Sequence, residues 1–350
     1  HVAGLETSKL AEIVSFKPVI AKRYYHEYGA MRWFDVILTS VSDYKQTIET
    51  ACKSTNAVGL FCILLPNGTT EEKQCETILK SKDKYDLPVF FSVAKNARLI
   101  NEHLRELLAL EWIQKSTLPG FVGDTIAQKI VEDRLNAVSD MLGIRLDDVI
   151  QGADWSNQGN RYENVPTSKL SSIASDVCEE KYKYSPKIKS ELVNKNKPSA
   201  SANMAMNKLL RLMVTNNGEK DLGITGLLKI LLQDTALYVN KGNGGAYSLP
   251  KKDTDLYGLW KGTDEFLKTS FSKTAADVYA MWKAEPYGIK AGLHTILLLA
   301  YIMTKTKDIA VYRDGMYTPK LDDLVVDYLV KDAKRISLKF VKADDVSNNI

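Results

Sequence analysis

The chain has 350 residues, 45% of them hydrophobic and 26% charged, and 47 Lys+Arg against 43 Asp+Glu give a formal net charge of +4. A length of this order supports two or three domains, each burying a normal core. A dedicated nucleic-acid binder usually shows a stronger excess or a clear basic stripe, so this balance permits a nucleic-acid partner without arguing for one.

The four cysteines, Cys52, Cys62, Cys75 and Cys178, form no C-x-x-C pair, which excludes a zinc ribbon and a thioredoxin-like redox site. Cys62 lies inside an apolar strand, where a reduced, buried thiol is expected. A reducing, cytoplasmic compartment follows. The N-terminus lacks the charged-then-apolar pattern of a signal peptide. The longest apolar run, Ile296 to Met303, falls far short of the ~20 residues needed to span a bilayer. An opening His1 in place of methionine suggests an excised piece of a longer protein.

Taken in chain order, residues 10–28 read as partly helical. Strands at 33–39, 58–65 and 88–93 then alternate with helices at 43–53 and 71–80, the spacing of a small, largely parallel α/β layer. From Asn96 the pattern turns helical. Leu99, Leu104, Leu107, Leu108 and Trp112 mark one apolar face. Ile126, Ile130, Val131, Leu135, Val138 and Leu142 mark a second, behind an Asp124 cap, and both faces are expected to point into a core. Residues 151–166 are rich in turn formers and read as an internal boundary. Helices follow from Thr167, at 199–214, at 225–234 and at 257–267, with a glycine-rich loop at 241–245.

The segment from Glu285 to Phe340 is the most legible. A turn at Pro286-Tyr287-Gly288 leads into the apolar helix 291–303. A hairpin at 309–319 follows, turning at Asp314-Gly315, then an amphipathic helix at 321–330 and a strand at 336–340. Helix, wing, helix and strand in this order predict a winged-helix-like module. Its central helix is apolar all round, whereas a base-reading helix must expose polar side chains to the major groove. A scaffold or protein-docking use is therefore expected.

No motif supplies an active site. Gly242–Gly245 lacks the Lys-Ser or Lys-Thr pair that a Walker A loop needs. His26, His103 and His294 are isolated, without the spacing of metal ligands. Glu179-Glu180-Lys181 sits on a predicted helix without the partner aspartate of a nuclease site. Two basic features remain. In the first, Lys181, Lys183, Lys187, Lys189, Lys195 and Lys197 interleave with Tyr182 and Tyr184, a composition suited to phosphate contact and base stacking, or to a solvated face. The second is Arg313 beside the wing turn, a candidate for minor-groove entry.

Three strings together resemble a family of large bacterial ATP-binding proteins of phage-defence systems, akin to the P-loop ATPases of BREX-type phage exclusion. They are Phe16–Tyr25 with Met31–Val36; Ser185–Ser199; and Pro286–Leu293 with the Tyr312–Gly315 wing. The resemblance spans most of the chain, from Phe16 to Phe340. The ATPase motifs of such a family are absent, so it implies a region outside the P-loop core, with no cofactor held here and ATP bound elsewhere in the full-length protein. No catalytic residue carries over.

The resulting expectation is a mixed α/β, mostly helical chain: a small α/β domain at 1–95, a helical segment at 96–150, a helical domain at 151–270 and a winged-helix-like C-terminal module at 271–350. Its expected role is that of a non-catalytic interaction or regulatory region contacting other defence-system subunits and double-stranded DNA, with no membrane association. The alternatives are a direct DNA-binding module and a nuclease with a dispersed site.

Overall fold

The computed structural model describes residues 16–116, 121–216, 226–240 and 245–341. It is mixed α/β, 53% helical and 17% strand, which bears out the mostly helical expectation. The chain divides into two compact units, the first His1–Ala21 with Arg32–Ser175, the second Lys22–Met31 with Asp176–Ile350. Helix α1 (Lys22–Tyr28) belongs to the second unit.

The first unit is built on a six-stranded sheet in simple sequence order: β1 (Val19–Ile20), β2 (Trp33–Ser40), β3 (Gly59–Leu65), β4 (Val89–Val93), β5 (Ala153–Asn157) and β6 (Asn160–Val165). Strands β2, β3 and β4 run parallel, and β1, β5 and β6 are added antiparallel. Strand β3 is buried at every position. That is why it reads as a continuous apolar run, as a strand covered on both faces must. Helices α2 (Tyr44–Ser54) and α3 (Thr69–Lys80) contribute Ile48, Cys75 and Ile78 to the core on one face, with Leu60, Cys62 and Phe91. The other face carries an aromatic group in which Phe61 meets Phe34 and Phe90 at centroid distances of 5.3 Å and Trp155 at 5.0 Å.

Residues 151–166, read from the sequence as a boundary, instead form the β5–β6 hairpin that extends this sheet. Its turn has positive φ at Gln158 (49°) and Gly159 (82°), so the turn formers serve a hairpin and not a linker. Helices α4 (Ala97–Lys115) and α5 (Thr125–Ile150) form a helical hairpin in the same unit, bridged by Arg134 and Glu106 at 2.6 Å. Asp124 caps α5, accepting hydrogen bonds from the amides of Ile126 and Ala127 at 3.0 Å. The expectation of two core-facing stripes holds only in part. Leu104, Leu107, Val138 and Leu142 are buried, but Leu99, Trp112, Ile126 and Ile130 are exposed. On α5 the physical reason is that the helix carries two apolar seams, of which the described residues pack one, Val138, Leu142, Leu146 and Val149. Helix α6 (Thr167–Lys181) begins in this unit, which ends at Ser175; its Ser171 hydroxyl donates to the carbonyl of Ile20 at 2.6 Å.

The second unit contains α7 (Ala200–Asn216) and α8 (Gly226–Leu228), which continues as a π-helical turn, Lys229–Gln233. A small hairpin of β7 (Tyr238–Asn240) and β8 (Gly245–Tyr247) follows. The elements that follow are α9 (Asp255–Lys268), β9 (Lys273–Thr274), α10 (Ala275–Lys283), and then the expected order of helix, hairpin, helix and strand: α11 (Ala291–Thr304), β10 (Ile309–Arg313), β11 (Met316–Tyr317), α12 (Asp323–Lys331) and β12 (Ile336–Phe340). The four strands form one sheet in the order β11-β10-β12-β9. Strand β9 and helix α10 carry no strong apolar period, and a capping box fixes their junction: the Thr274 hydroxyl accepts from the Asp277 amide while the Asp277 carboxylate accepts from the Thr274 amide. Asp314 (φ 50°) and Gly315 (φ 80°) make the two-residue wing turn. Every residue of α11 from Ile296 to Met303 is buried, so this helix forms the centre of the module.

Among the described residues no helix is long and apolar enough to cross a membrane. The four cysteines form no disulfide among the described residues, and burial pushes the thiol of Cys62 well above its ordinary value.

Candidate nucleic-acid and partner interface

The lysine-rich segment after α6 folds as a strap in the second unit, held by backbone and side-chain anchors. Ile188 and Val193 are buried in the core of this unit, as are the polar Ser185, Ser190 and Asn194. The Asn194 amide donates to the carbonyl of Tyr28 at 3.0 Å and to that of Ile188 at 2.9 Å, tying the strap to the end of α1. Gly29, at φ 70°, permits this approach, since a Cβ there would lie 2.2 Å from the Ile188 oxygen. At the far end the strap caps α11. The Gly292 amide donates to the Lys195 carbonyl at 3.0 Å and the Ala291 amide to the Asn196 side chain at 3.2 Å. Orphan amides of a helix N-terminus are thereby satisfied. A Cβ on Gly292 would fall 2.1 Å from the Val193 oxygen, so the glycine sets how closely strap and helix meet.

This fixed backbone decides what each candidate lysine faces. Lys181 is mostly buried and pairs with Glu285 at 3.0 Å, which removes it from any exposed surface. Lys183 is exposed, with its ammonium 5.1 Å from the centre of the exposed Tyr184 ring. Lys187 lies 3.5 Å from Glu27 and 5.3 Å over the Tyr28 ring. Lys189, Lys195 and Lys197 are exposed and form no ion pair among the described residues. Arg313 is only partly exposed, and its guanidinium is 3.6 Å from the carboxylate of Asp322, the N-cap of α12. The tip of the wing is Asp314-Gly315, and Asp314 is bound by Arg335, leaving the exposed Met316 and Tyr317 beside it.

The remaining sequence candidates are not brought together. Glu179 accepts from Arg23 at 3.0 Å while the neighbouring Lys181 turns to Glu285. Of the glycine-rich loop, residues 241–244 lie outside the described residues, and Gly245 belongs to β8. His294 is a core histidine. It stacks on Tyr279 at 5.0 Å, its Nε2 is 3.1 Å from the Ile289 carbonyl, and burial lowers its pKa to about 4. Among the described residues no cluster of three or more His, Cys, Asp or Glu is arranged to hold a metal ion.

Sequence reasoning missed the anchors Gly29, Asn194, Asn196 and Gly292. Gly292 did leave a trace: a glycine inside an otherwise apolar helix costs about 1 kcal/mol against alanine, and so signals a close approach. Asn194 and Asn196 leave none, because their partners are distant in sequence.

The chain matches no family model, and no curated protein or solved structure matches it.

Proposed function

We propose that this chain is a cytosolic, non-catalytic docking region of a large bacterial phage-defence ATPase of the BREX type, using its winged-helix module as a scaffold for partner subunits. The observation that carries the reading is the burial of α11. A winged helix reads DNA by laying an exposed helix in the major groove, and here the helix at that place is the core of the module. The reading predicts that the purified chain binds at least one other subunit of its defence system and neither hydrolyses ATP nor cleaves nucleic acid. Metal-dependent cleavage abolished by one carboxylate substitution would overturn it in favour of a nuclease. Failure to bind any subunit of the system would overturn it as well.

A second reading, contact with the phosphate backbone of double-stranded DNA, is favoured by one observation. Lys189, Lys195 and Lys197 stand exposed, with no ion pair among the described residues, on a strap whose backbone is fixed at both ends. Such contact releases counterions, so affinity for a duplex of any sequence falls steeply between about 50 mM and about 200 mM salt, and each lost phosphate contact lowers the salt slope by about 0.9. The triple variant K189E/K195E/K197E then shows a slope smaller by two to three such contacts. Absence of binding at low salt rejects this reading and leaves the docking role standing.

A further inference from the structure

Helix α5 has a second seam that none of the described residues covers. Ile130, Ala137 and Ile144 recur at intervals of seven, and Ile126 and Met141 sit one turn from Ile130 and Ala137. At 3.6 residues per turn these five share one side of the helix, about a third of a turn from the buried seam of Val138, Leu142, Leu146 and Val149. The outer side is bare: Ile126 is 72% exposed, Ile130 63%, Met141 46% and Ile144 63%. Large apolar side chains aligned in this way on a surface mark an interaction site more often than scattered singles do.

The rim of this seam says what covers it. Asp133, Asp140 and Asp147 also recur at intervals of seven and line one flank; all three are exposed and form no ion pair among the described residues. Lys129 is the single cation on that flank, which leaves it net negative. The opposite flank carries Arg134, already engaged by Glu106 at 2.6 Å, and the half-buried Arg145. The stripe ends at Asp148, one turn beyond Ile144. A second copy fits poorly. Antiparallel pairing of two α5 helices sets aspartate row against aspartate row, and parallel pairing meets an arginine flank already neutralised.

We infer that the outer seam of α5 docks an amphipathic helix of a partner protein, one whose apolar stripe is flanked by lysine or arginine. From Ile126 to Ile144 the seam is about 27 Å long at 1.5 Å per residue, enough for a partner helix of five turns. Apolar contact supplies the affinity, and the aspartate row selects for a basic partner and fixes its register. The site belongs to the first unit and the lysine strap to the second, and the proposal stands or falls independently of DNA contact there.

The probe is a labelled synthetic helical peptide of about three heptads with leucine at its seam positions and lysine on both flanks, compared with a twin bearing glutamate in place of lysine. Fluorescence anisotropy with the whole chain should show the lysine peptide binding at least tenfold more tightly than its twin. The triple reversal D133K/D140K/D147K should invert that preference, and Ile130→Asn should abolish binding of both peptides. All four positions are exposed, so circular dichroism and thermal melting should show each variant folded as the parent. Equal affinity for the two peptides, a preference untouched by the reversal, or no binding of either would overturn the proposal. So would a dimer in sedimentation that Ile130→Asn returns to monomer, because a second copy would then be the occupant.

Discussion

Arg335 donates two hydrogen bonds to the carboxylate of Asp314, from Nε at 2.6 Å and from Nη2 at 2.7 Å. The pair joins the end of a short 3-10 turn before β12 to the tip of the wing. It makes Asp314 both the first residue of the turn and the acceptor that holds it in place. Arg313, the neighbour that a linear reading makes prominent, faces Asp322 instead.

The Arg335 guanidinium holds the Asp314 carboxyl below its ordinary value of 3.8. A depressed folded-state pKa means that the wing contact contributes fully above that ordinary value and is lost as pH falls through the lower, folded one. In Arg335→Met the Asp314 carboxyl should titrate nearer 3.8, as followed by carboxyl-carbon NMR. An unchanged midpoint would show that the ion pair does not persist in solution.

His294 gives a larger pH response because it is buried. Its pKa falls from 6.5 to about 4, chiefly through desolvation of the charged form. The unfolded chain therefore binds the extra proton first as pH drops, so stability is full above 6.5, declines between 6.5 and about 4, and levels off below. The slope contributed by this one group approaches about 1.4 kcal/mol per pH unit. Denaturant titrations across that window should show a shallower pH dependence for His294→Gln than for the parent chain; parallel curves would refute the assignment.

Gly292→Ala tests the union of strap and helix. Alanine would ordinarily favour the helix by about 1 kcal/mol, yet the added Cβ meets the Val193 oxygen, a backbone atom that cannot swing aside. A net loss of about 1–3 kcal/mol is expected. It should be accompanied by faster hydrogen exchange at the Gly292 amide, whose acceptor is the Lys195 carbonyl. A gain in stability would mean that the strap yields easily and does not present its lysines from a fixed backbone.

Ser92→Ala should stabilise the first unit. The register that pairs Phe91 with Ser156 sets Ser92 opposite Trp155 on the aromatic face of the sheet. Both are buried, and neither the Ser92 hydroxyl nor the Trp155 indole nitrogen has a hydrogen-bond partner among the described residues. A buried polar group without a partner costs about 1–3 kcal/mol, and removing it recovers a part of that. Thermal melts of the variant should shift upward; a downward shift would reveal a partner for the hydroxyl in solution.

Much of the fold is legible in the chain because its signals are local. The continuous apolar run of β3, the Asp124 cap, the Asp314-Gly315 turn and the all-round apolar α11 each announce an element from neighbouring residues. The β5–β6 hairpin is not legible in this way. Its turn formers resemble a linker, and only pairing with β4 makes Trp155 a core residue. The candidate interface divides similarly: the lysines of the strap are conspicuous, but their partners are not. Lys181 and Lys189 are alike in sequence, and a distant Glu285 alone makes one an internal ion pair and leaves the other facing solvent.

By itself the sequence determined the periods, caps and turns, and hence the mixed, mostly helical character and the order of helix, hairpin, helix and strand after Ala291, because these depend on backbone preferences over a few residues. Tertiary structure decided which of the two seams of α5 is buried, which lysines stay free, and that α11 is capped by a strap almost a hundred residues upstream. Those outcomes rest on contacts between segments far apart in the chain, where burial and pairing, and not local propensity, set the free energy.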